Sequence, residues 1–120
     1  MTTPPPYTPA VVTGNFVFVS GQIGKDFENN TTAPSIEEQT NQTMKNLKSH
    51  LEANGSSLKS LIKTTIFLTD MGQYGIVNDI YASYLSEPYP ARTCVAVKEL
   101  PRVADVDLLI EVEAVATVEG

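Results

Sequence analysis

The segment from Ser35 to Gly55 has the most definite local structure in the sequence. It opens on Ser-Ile-Glu-Glu, a capping box in which the Ser35 hydroxyl accepts from the backbone at Glu38 and the glutamate side chain reaches back. Side chains then recur at helical spacing, at Ile36, Thr40, Met44, Leu47 and Leu51. Asn54-Gly55 supplies a C-terminal stop. The segment is therefore predicted as an amphipathic helix, which needs a second layer to cover its apolar stripe.

Segments with strand character lie on both sides of this helix. Runs rich in β-branched and aromatic residues occur at 10–12, 16–20, 62–68, 92–97 and 108–118. A second helical stripe extends from Tyr74 to Leu85, whereas residues 25–34 are polar without periodicity and indicate a loop. The order ββαβαββ predicts one α+β domain over residues 1–120, a mixed sheet with both helices on one face.

If both helices cover one face of the sheet, the opposite face has no cover within the chain. We expect that face to carry valine, isoleucine, alanine and threonine side chains rather than a charged surface. An uncovered apolar face normally becomes buried against a partner. The chain is therefore expected to work as an oligomer and not as a monomer.

Composition narrows the class of protein. A length of 120 residues fits one domain with a modest core, and 42% apolar with 18% charged residues is typical of a globular chain. No apolar run approaches the roughly 18 residues of a membrane span. Residues 1–9 lack the features of a secretory signal or an Arg-rich transit peptide. A cytoplasmic location is expected, and the mitochondrial matrix is the other compatible compartment.

Charge and metal-ligand content exclude several classes of partner and site. The net charge is −6 and the eight basic residues are scattered, whereas nucleic acids and anionic membranes require a cationic face. The single cysteine, Cys94, excludes an internal disulfide and suits a reducing compartment. The lone histidine, His50, falls near the end of the first helix and is interpreted as a solvated residue. One histidine and one cysteine do not supply a closed zinc site, so no metal is expected.

Four blocks of sequence resemble one known family in their order and spacing. They are Ser-Gly-Gln-Ile at 20–23, Pro-Ala-Arg-Thr-Cys-Val-Ala-Val at 90–97, Leu-Pro at 100–101 and Ile-Glu-Val-Glu-Ala at 110–114. Asn78 and Tyr81 also fit the family's Asn-x-x-Tyr pattern. The chain thus resembles the RidA/YjgF-like family from Tyr7 to Ala116. The block at 90–97 and the block at 110–114 together identify the family specifically, whereas either block alone would be weak evidence for it.

The resemblance implies a chorismate-mutase-like fold and a homotrimer whose sheets form a central barrel, with ligand clefts between neighbouring subunits. It implies a deaminase that uses no metal or cofactor. The implied substrates are reactive imino and enamino acids such as 2-aminoacrylate, 2-iminopropanoate and 2-iminobutanoate, released by pyridoxal-phosphate-dependent dehydratases and hydrolysed to 2-oxo acids and ammonia. Four residues would line the substrate pocket, namely Tyr7, Ser20, Gly21 and Cys94.

The resemblance gives chemical roles to two residues, Arg92 and Glu111. Arg92 would bind the substrate carboxylate, and a guanidinium does so bidentately and holds the carboxylate plane, which lysine does less well. Holding that plane presents the imine carbon to water from one direction. Glu111 would position the attacking water, and one carboxyl group can take a proton from water and return it to the departing ammonia.

Structural interpretations compete with each of these roles. An arginine at a strand edge is usually solvated, a small cysteine is often only packing, and a serine at a strand end often caps a turn. Cys94 shares a strand face with Arg92 and is expected to line the pocket without acting as a nucleophile. Tyr7 lies in a Pro-rich arm typical of a disordered terminus. The connection 102–109 is longer than the family pattern, which leaves Glu113, on the same face, as the alternative to Glu111.

Two other functions compete with the deaminase. A non-catalytic trimeric module that binds 2-oxo acids would use the same Arg92 cleft but would tolerate the loss of Glu111. A ribonuclease or translation inhibitor, also attached to this family, is disfavoured because the chain is acidic and shows no basic-aromatic surface.

Overall fold

The computed structural model describes residues 4–119 and contains a five-stranded sheet and two α-helices. The elements are β1 (Ala10–Thr13), β2 (Phe16–Ile23), β3 (Lys25–Asp26), β4 (Thr31–Thr32), α1 (Ile36–Ala53), β5 (Leu61–Leu68), α2 (Tyr74–Tyr84), β6 (Ala91–Ala96) and β7 (Ile110–Thr117). The sheet order is β1-β2-β7-β5-β6, and all neighbours are antiparallel except β5 and β6. The predicted order ββαβαββ and the mixed sheet are confirmed, with β3 and β4 as an addition.

Both helices pack on one face of the sheet, as predicted. α1 lies against β2 and β7 and contacts α2, which covers β5. The Ser35 hydroxyl accepts from the Glu38 N–H at 3.1 Å, and the five residues of the predicted helical stripe are buried. They join one core with buried strand residues that include Val17, Ile66, Leu68, Ile110 and Val112. Within residues 4–119, no helix is long and apolar enough to cross a membrane.

The segment 25–34, predicted as a loop, contains a small two-stranded ribbon. Lys25 pairs with Thr32 and Asp26 pairs with Thr31. The Asp26 carboxylate accepts from two backbone N–H groups inside the turn. Strands of two residues contain no alternation for a sequence pattern to detect, which is why the ribbon was not predicted.

Gln39 on α1 fixes the chain just before β7. Its side chain is fully buried, its amide nitrogen donates to the Asp107 carbonyl at 3.0 Å, and its amide oxygen accepts from the Leu109 N–H at 2.8 Å. The second bond occupies the N–H of Leu109, a residue that the sequence assigned to the last strand. The strand therefore begins at Ile110, two residues later than the predicted Leu108.

The sheet face opposite the helices is apolar, with aromatic side chains that were not expected there. Phe16 and Phe18 are 44% and 46% exposed, and their ring centroids lie 6.4 Å apart. The same face carries Lys63, Glu111 and Glu113. The predicted absence of charge on this face is therefore wrong, because the alternation of β5 and β7 brings these three residues onto it. Its apolar character remains a reason to expect a partner.

Candidate active site

Arg92 lies on the edge strand β6, on the sheet face that the helices cover. Its register partner on β5 is Thr64, which is fully buried. The guanidinium Nη1 donates to Asn78 Oδ1 at 2.7 Å, and Nη2 donates to the Tyr74 hydroxyl at 2.9 Å. Its Cζ lies 5.4 Å and 5.3 Å from the ring centroids of Tyr74 and Tyr81. The interpretation of Arg92 as a solvated edge residue is wrong, because α2 holds its side chain.

Three residues on one side of α2 form this binding surface, and we call Tyr74, Asn78 and Tyr81 the arginine cradle. They are spaced by four and three residues, which places them on one helix face. The Tyr81 hydroxyl shares a 2.7 Å hydrogen bond with the Thr64 hydroxyl. Burial raises the pKa of Tyr81, and the Thr64 hydrogen bond and the Arg92 charge oppose this only in part. The Tyr81 hydroxyl therefore stays protonated at physiological pH and places no negative charge beside Arg92.

Cys94 follows Arg92 on the same face of β6, as predicted. Its register partner is the buried Ile66, and its own side chain is partly buried. Burial raises the pKa of the Cys94 thiol, and the charge of Arg92 offsets this effect only in part. The thiol therefore stays protonated near neutral pH, which suits a lining residue and not a nucleophile.

Four other predicted site residues meet in a cavity of about 800 Å³, which we call the carboxyl cavity. It lies beside the start of β1, where Ala10 pairs with Val19 and β1 covers no more of the edge of β2. The predicted residues that line it are Tyr7, Ser20, Gly21 and Glu111. Its other lining residues include Ile23, Phe27, Asn46, His50, Pro101 and Val103. Arg92 and Cys94 are not among the residues that line it.

The N-terminal arm is attached to β2 through Ser20. The Ser20 hydroxyl donates to the Thr8 carbonyl at 2.6 Å, and the Ser20 N–H donates to the Pro9 carbonyl at 2.9 Å. These bonds give the arm a defined path and bring Tyr7, whose side chain is largely exposed, to the wall of the carboxyl cavity. The interpretation of the arm around Tyr7 as a disordered terminus is therefore wrong.

Gly21 lies at an irregularity of β2, where the register with β7 shifts between Val19 and Gln22. A Cβ at Gly21 would collide with the carboxylate of Glu111. A side chain at this position would displace the flexible end of the Glu111 side chain, so glycine lets the carboxylate keep its present place against β2. Because Gly21 has no side chain, the backbone of β2 lies directly beside the Glu111 carboxylate in the carboxyl cavity.

Glu111, and not the alternative Glu113, belongs to the carboxyl cavity. Glu111 is half-buried between its register partners Ile23 on β2 and Phe67 on β5. Burial raises the pKa of Glu111, and the negative charge of Glu113 raises it further. Glu113 is exposed and is paired with Thr65. Of the two glutamates, Glu111 is therefore the one that lies beside Tyr7 and Gly21 in this cavity.

The two groups of candidate residues do not meet within one chain. Arg92 and Cys94 follow the register of Thr64 and Ile66, on the helix-covered face. Glu111 is opposite Phe67, the next residue along β5, and therefore points to the other face. β5 also separates β6 from β7 in the sheet. One chain thus presents two half-sites, a guanidinium half-site and a carboxyl half-site.

Comparison with known proteins decides the family. The family model described as endoribonuclease L-PSP matches residues 1–118. The chain belongs to this family. A RutC family protein of Pyrococcus horikoshii is 43% identical over 112 residues, which are 92% of this chain and 86% of the relative. A protein of Dermatophagoides farinae named 2-iminobutanoate/2-iminopropanoate deaminase is 35% identical over 116 residues, 95% of this chain and 87% of the relative.

Solved structures of this endoribonuclease L-PSP family have the same fold. RidA from an Antarctic Psychrobacter species superposes with a TM-score of 0.89 at 34% identity, covering 98% of this chain and 92% of the other. Escherichia coli TdcF, solved with bound serine, superposes with a TM-score of 0.89 at 32% identity, covering 98% and 91%. The predicted resemblance to RidA/YjgF-like proteins and the predicted fold class are confirmed.

Sequence reasoning missed two residues of these half-sites. Tyr74 counts only as part of an apolar stripe in the sequence, although its spacing of four residues from Asn78 was an available signal. His50 lies in the last turn of α1, as the sequence indicated, but it is partly buried and lines the carboxyl cavity, a position that the sequence did not indicate. No local signal indicates this position, because it depends on how α1 passes the free edge of β2.

The protonated thiol of Cys94 leads to a first prediction. Replacing Cys94 by alanine is expected to retain most of the catalytic rate, because the substitution removes a lining group and no reacting one. The measurement is the steady-state hydrolysis of an imino acid by the purified variant. A loss comparable to that caused by removing Arg92 would show that the sulfur takes part in the reaction.

Proposed function

We propose that this protein hydrolyses 2-imino and 2-enamino acids, such as 2-aminoacrylate and 2-iminobutanoate, to 2-oxo acids and ammonia. The reaction takes place in a cleft between two copies of the chain, where the guanidinium half-site of one copy faces the carboxyl half-site of its neighbour. The observation that carries the proposal is the state of Arg92. Its guanidinium is held by neutral groups, and within residues 4–119 no carboxylate forms a salt bridge with it.

The chemistry requires a carboxylate anchor and one group that moves protons. Arg92 binds the substrate carboxylate and fixes its plane, and the conjugated C=N group lies in that plane. Water adds to the imine carbon, the π electrons move to nitrogen, and Glu111 takes the proton that the water loses. The imine reacts in its protonated form, so the adduct is a neutral carbinolamine. Glu111 gives its proton to the nitrogen of this adduct, and the C–N bond then breaks as Glu111 takes the hydroxyl proton and the C=O bond forms. The departing ammonia takes that proton and leaves as ammonium, which returns Glu111 to the carboxylate.

The raised pKa of Glu111 suits this double role. A carboxyl group with an ordinary pKa is a weak base towards water, and at equilibrium it holds a proton to donate only at low pH. Burial and the neighbouring Glu113 charge bring the pKa of Glu111 closer to neutral pH. Ser20, Gly21 and Tyr7 line the carboxyl cavity beside this group.

The relatives support this chemistry over hydrolysis of RNA. The Dermatophagoides farinae relative is named as an imine deaminase, and the ligand of Escherichia coli TdcF is serine, which carries a carboxylate and an α-nitrogen. The family model carries the word endoribonuclease, but this chain has a net charge of −6 with eight scattered basic residues. An RNA-binding face needs clustered cations and stacking aromatic groups.

The oligomer that the proposal needs is a trimer with a site at each interface. The exposed phenylalanines Phe16 and Phe18 lie on the open face of the sheet and are suited to burial against a neighbour. Light scattering at micromolar concentration should give a mass of about three chains. A stable monomer would contradict a site shared between copies.

The function itself is tested by supplying the unstable substrate as it forms. A serine dehydratase releases 2-aminoacrylate, and a lactate dehydrogenase assay follows the appearance of pyruvate with and without the purified protein. An acceleration over the spontaneous reaction that scales with protein concentration supports the deaminase. Saturable binding of pyruvate without acceleration would instead favour a metabolite-binding module.

A further inference from the structure

The side chains that bond to Arg92 in the arginine cradle are an amide and a hydroxyl, and neither is a carboxylate. We infer that Asn78, supported by Tyr74 and Tyr81, is a positioning residue that fixes the guanidinium plane and leaves its charge uncompensated for a planar monocarboxylate. This inference rests on the proposed function and adds to it the residues that determine anion selectivity at the guanidinium half-site.

The hydrogen bonds leave the guanidinium enough donors for a ligand. A guanidinium carries five N–H donors in a fixed plane. Asn78 takes one from Nη1 and Tyr74 takes one from Nη2. Three donors remain, which are enough for a bidentate bond to a carboxylate. The two bonds to α2 thus fix the plane without occupying all of its binding capacity.

The two tyrosine rings of the cradle lie against the guanidinium. Its Cζ lies within 5.4 Å of both ring centroids. Tyr81 is 5% exposed and its hydroxyl is bonded to the buried Thr64, so this ring has a fixed position. Because burial keeps the Tyr81 phenol protonated, the ring contributes a cation–π contact and no negative charge.

The charge pattern around the two arginines supports selectivity for an external anion. Arg102 forms an ion pair with Glu99 at 3.4 Å, whereas Arg92 has only neutral acceptors within the described part of the chain. α2 does carry a carboxylate at the adjacent position, Asp79, but this residue is exposed and the amide of Asn78 faces the guanidinium. A carboxylate in place of that amide would form an internal ion pair and compete with the ligand.

The test is the substitution Asn78→Asp, which keeps the size of the side chain and adds the competing charge. The probe ligand is 2-oxobutanoate, whose binding is measured by calorimetry, and KM and kcat are measured separately in imine hydrolysis. We expect the Kd for 2-oxobutanoate and the KM to rise on the order of tenfold, with a smaller change in kcat and no loss of thermal stability. Ser83→Asp adds the same charge on the exposed side of α2 and is the matched control, expected to bind 2-oxobutanoate as the wild type does.

A second variant separates positioning from charge. Asn78→Ala removes the acceptor without adding a carboxylate, and we expect it to lower kcat/KM less than Asn78→Asp does. If the wild type hydrolyses imines and Asn78→Asp binds 2-oxobutanoate as tightly as the wild type does, the inference is overturned and the proposed function stands. Loss of 2-oxobutanoate binding in Asn78→Asp, with a wild type that binds but does not hydrolyse, would support the inference and refute the proposed function. A wild type that neither binds nor hydrolyses would refute both.

Discussion

Replacing Arg92 by lysine is expected to lower kcat/KM for imine hydrolysis by at least about tenfold, with the chain still folded and trimeric. Lysine keeps the charge but removes the planar fork, so the substitution isolates geometry from electrostatics. A lysine ammonium cannot bond to Asn78 and Tyr74 in the present geometry and also hold a carboxylate plane. The loss of one charged hydrogen-bonding partner typically costs about 1.5–3 kcal/mol.

The second arginine provides a matched control for this substitution. Arg102 is exposed on the connection between β6 and β7, and its salt bridge is to Glu99. Arg102→Lys should therefore leave both kcat and KM unchanged. Circular dichroism and light scattering check that both variants keep the fold and the assembly. Hydrolysis at the wild-type rate by folded Arg92→Lys would remove the carboxylate anchor from the mechanism.

Replacing Glu111 by glutamine is expected to lower kcat on the order of a hundredfold and to leave the Kd for 2-oxobutanoate nearly unchanged. An amide can hold a water molecule but cannot take its proton. Two measurements therefore separate catalysis from binding. The kcat is measured with the coupled dehydratase, and the Kd for 2-oxobutanoate is measured by calorimetry. Wild-type turnover by Glu111→Gln would favour a metabolite-binding module, or a different proton acceptor.

The same substitution also has a predicted effect on stability. The pKa of Glu111 is raised in the folded state, so the folded chain binds more protons than the unfolded chain between the two pKa values. The stability of the wild type therefore falls as pH rises through that interval. Glu111→Gln lacks this loss, and its melting temperature should exceed that of the wild type by a margin that grows as pH rises and then levels off.

Glu113 is the control for the effects of Glu111. Glu113→Gln changes the same side chain on the same strand face, outside the carboxyl cavity. It should retain turnover. Because the charge of Glu113 contributes to the raised pKa of Glu111, its removal should move the acidic limb of the pH–rate profile to lower pH. An unchanged acidic limb would show that another group controls it.

Local periodicity carried enough information to predict most of the fold. The capping box at Ser35 and the spacing of the first helix depend on residues close in sequence, so their prediction was confirmed. The later start of β7 and the fixed path of its preceding connection depend on Gln39, which bonds to backbone nearly seventy residues away. A bond of that kind leaves no periodic pattern in the sequence.

The half-sites were predictable as residue types but not as an arrangement. The motif blocks identified Arg92 and Glu111, but the strand order that places them on opposite faces of the sheet is a property of the whole fold. The close approach of Gly21 to the Glu111 side chain likewise occurs at the shift between β2 and β7. Local sequence patterns do not predict these features, because they involve residues from distant parts of the chain.

Mixed trimers test most directly whether the site is shared between copies. Chains carrying Arg92→Ala and chains carrying Glu111→Gln, each expected to be strongly impaired alone, are co-expressed with different affinity tags and purified through both tags. In a cyclic trimer with one site at each interface, every mixed trimer has one interface with both residues intact, so activity should recover to about one third of the wild-type value. The readout is pyruvate release from 2-aminoacrylate. Mixed trimers no more active than the parent variants would contradict a site formed by Arg92 of one chain and Glu111 of its neighbour.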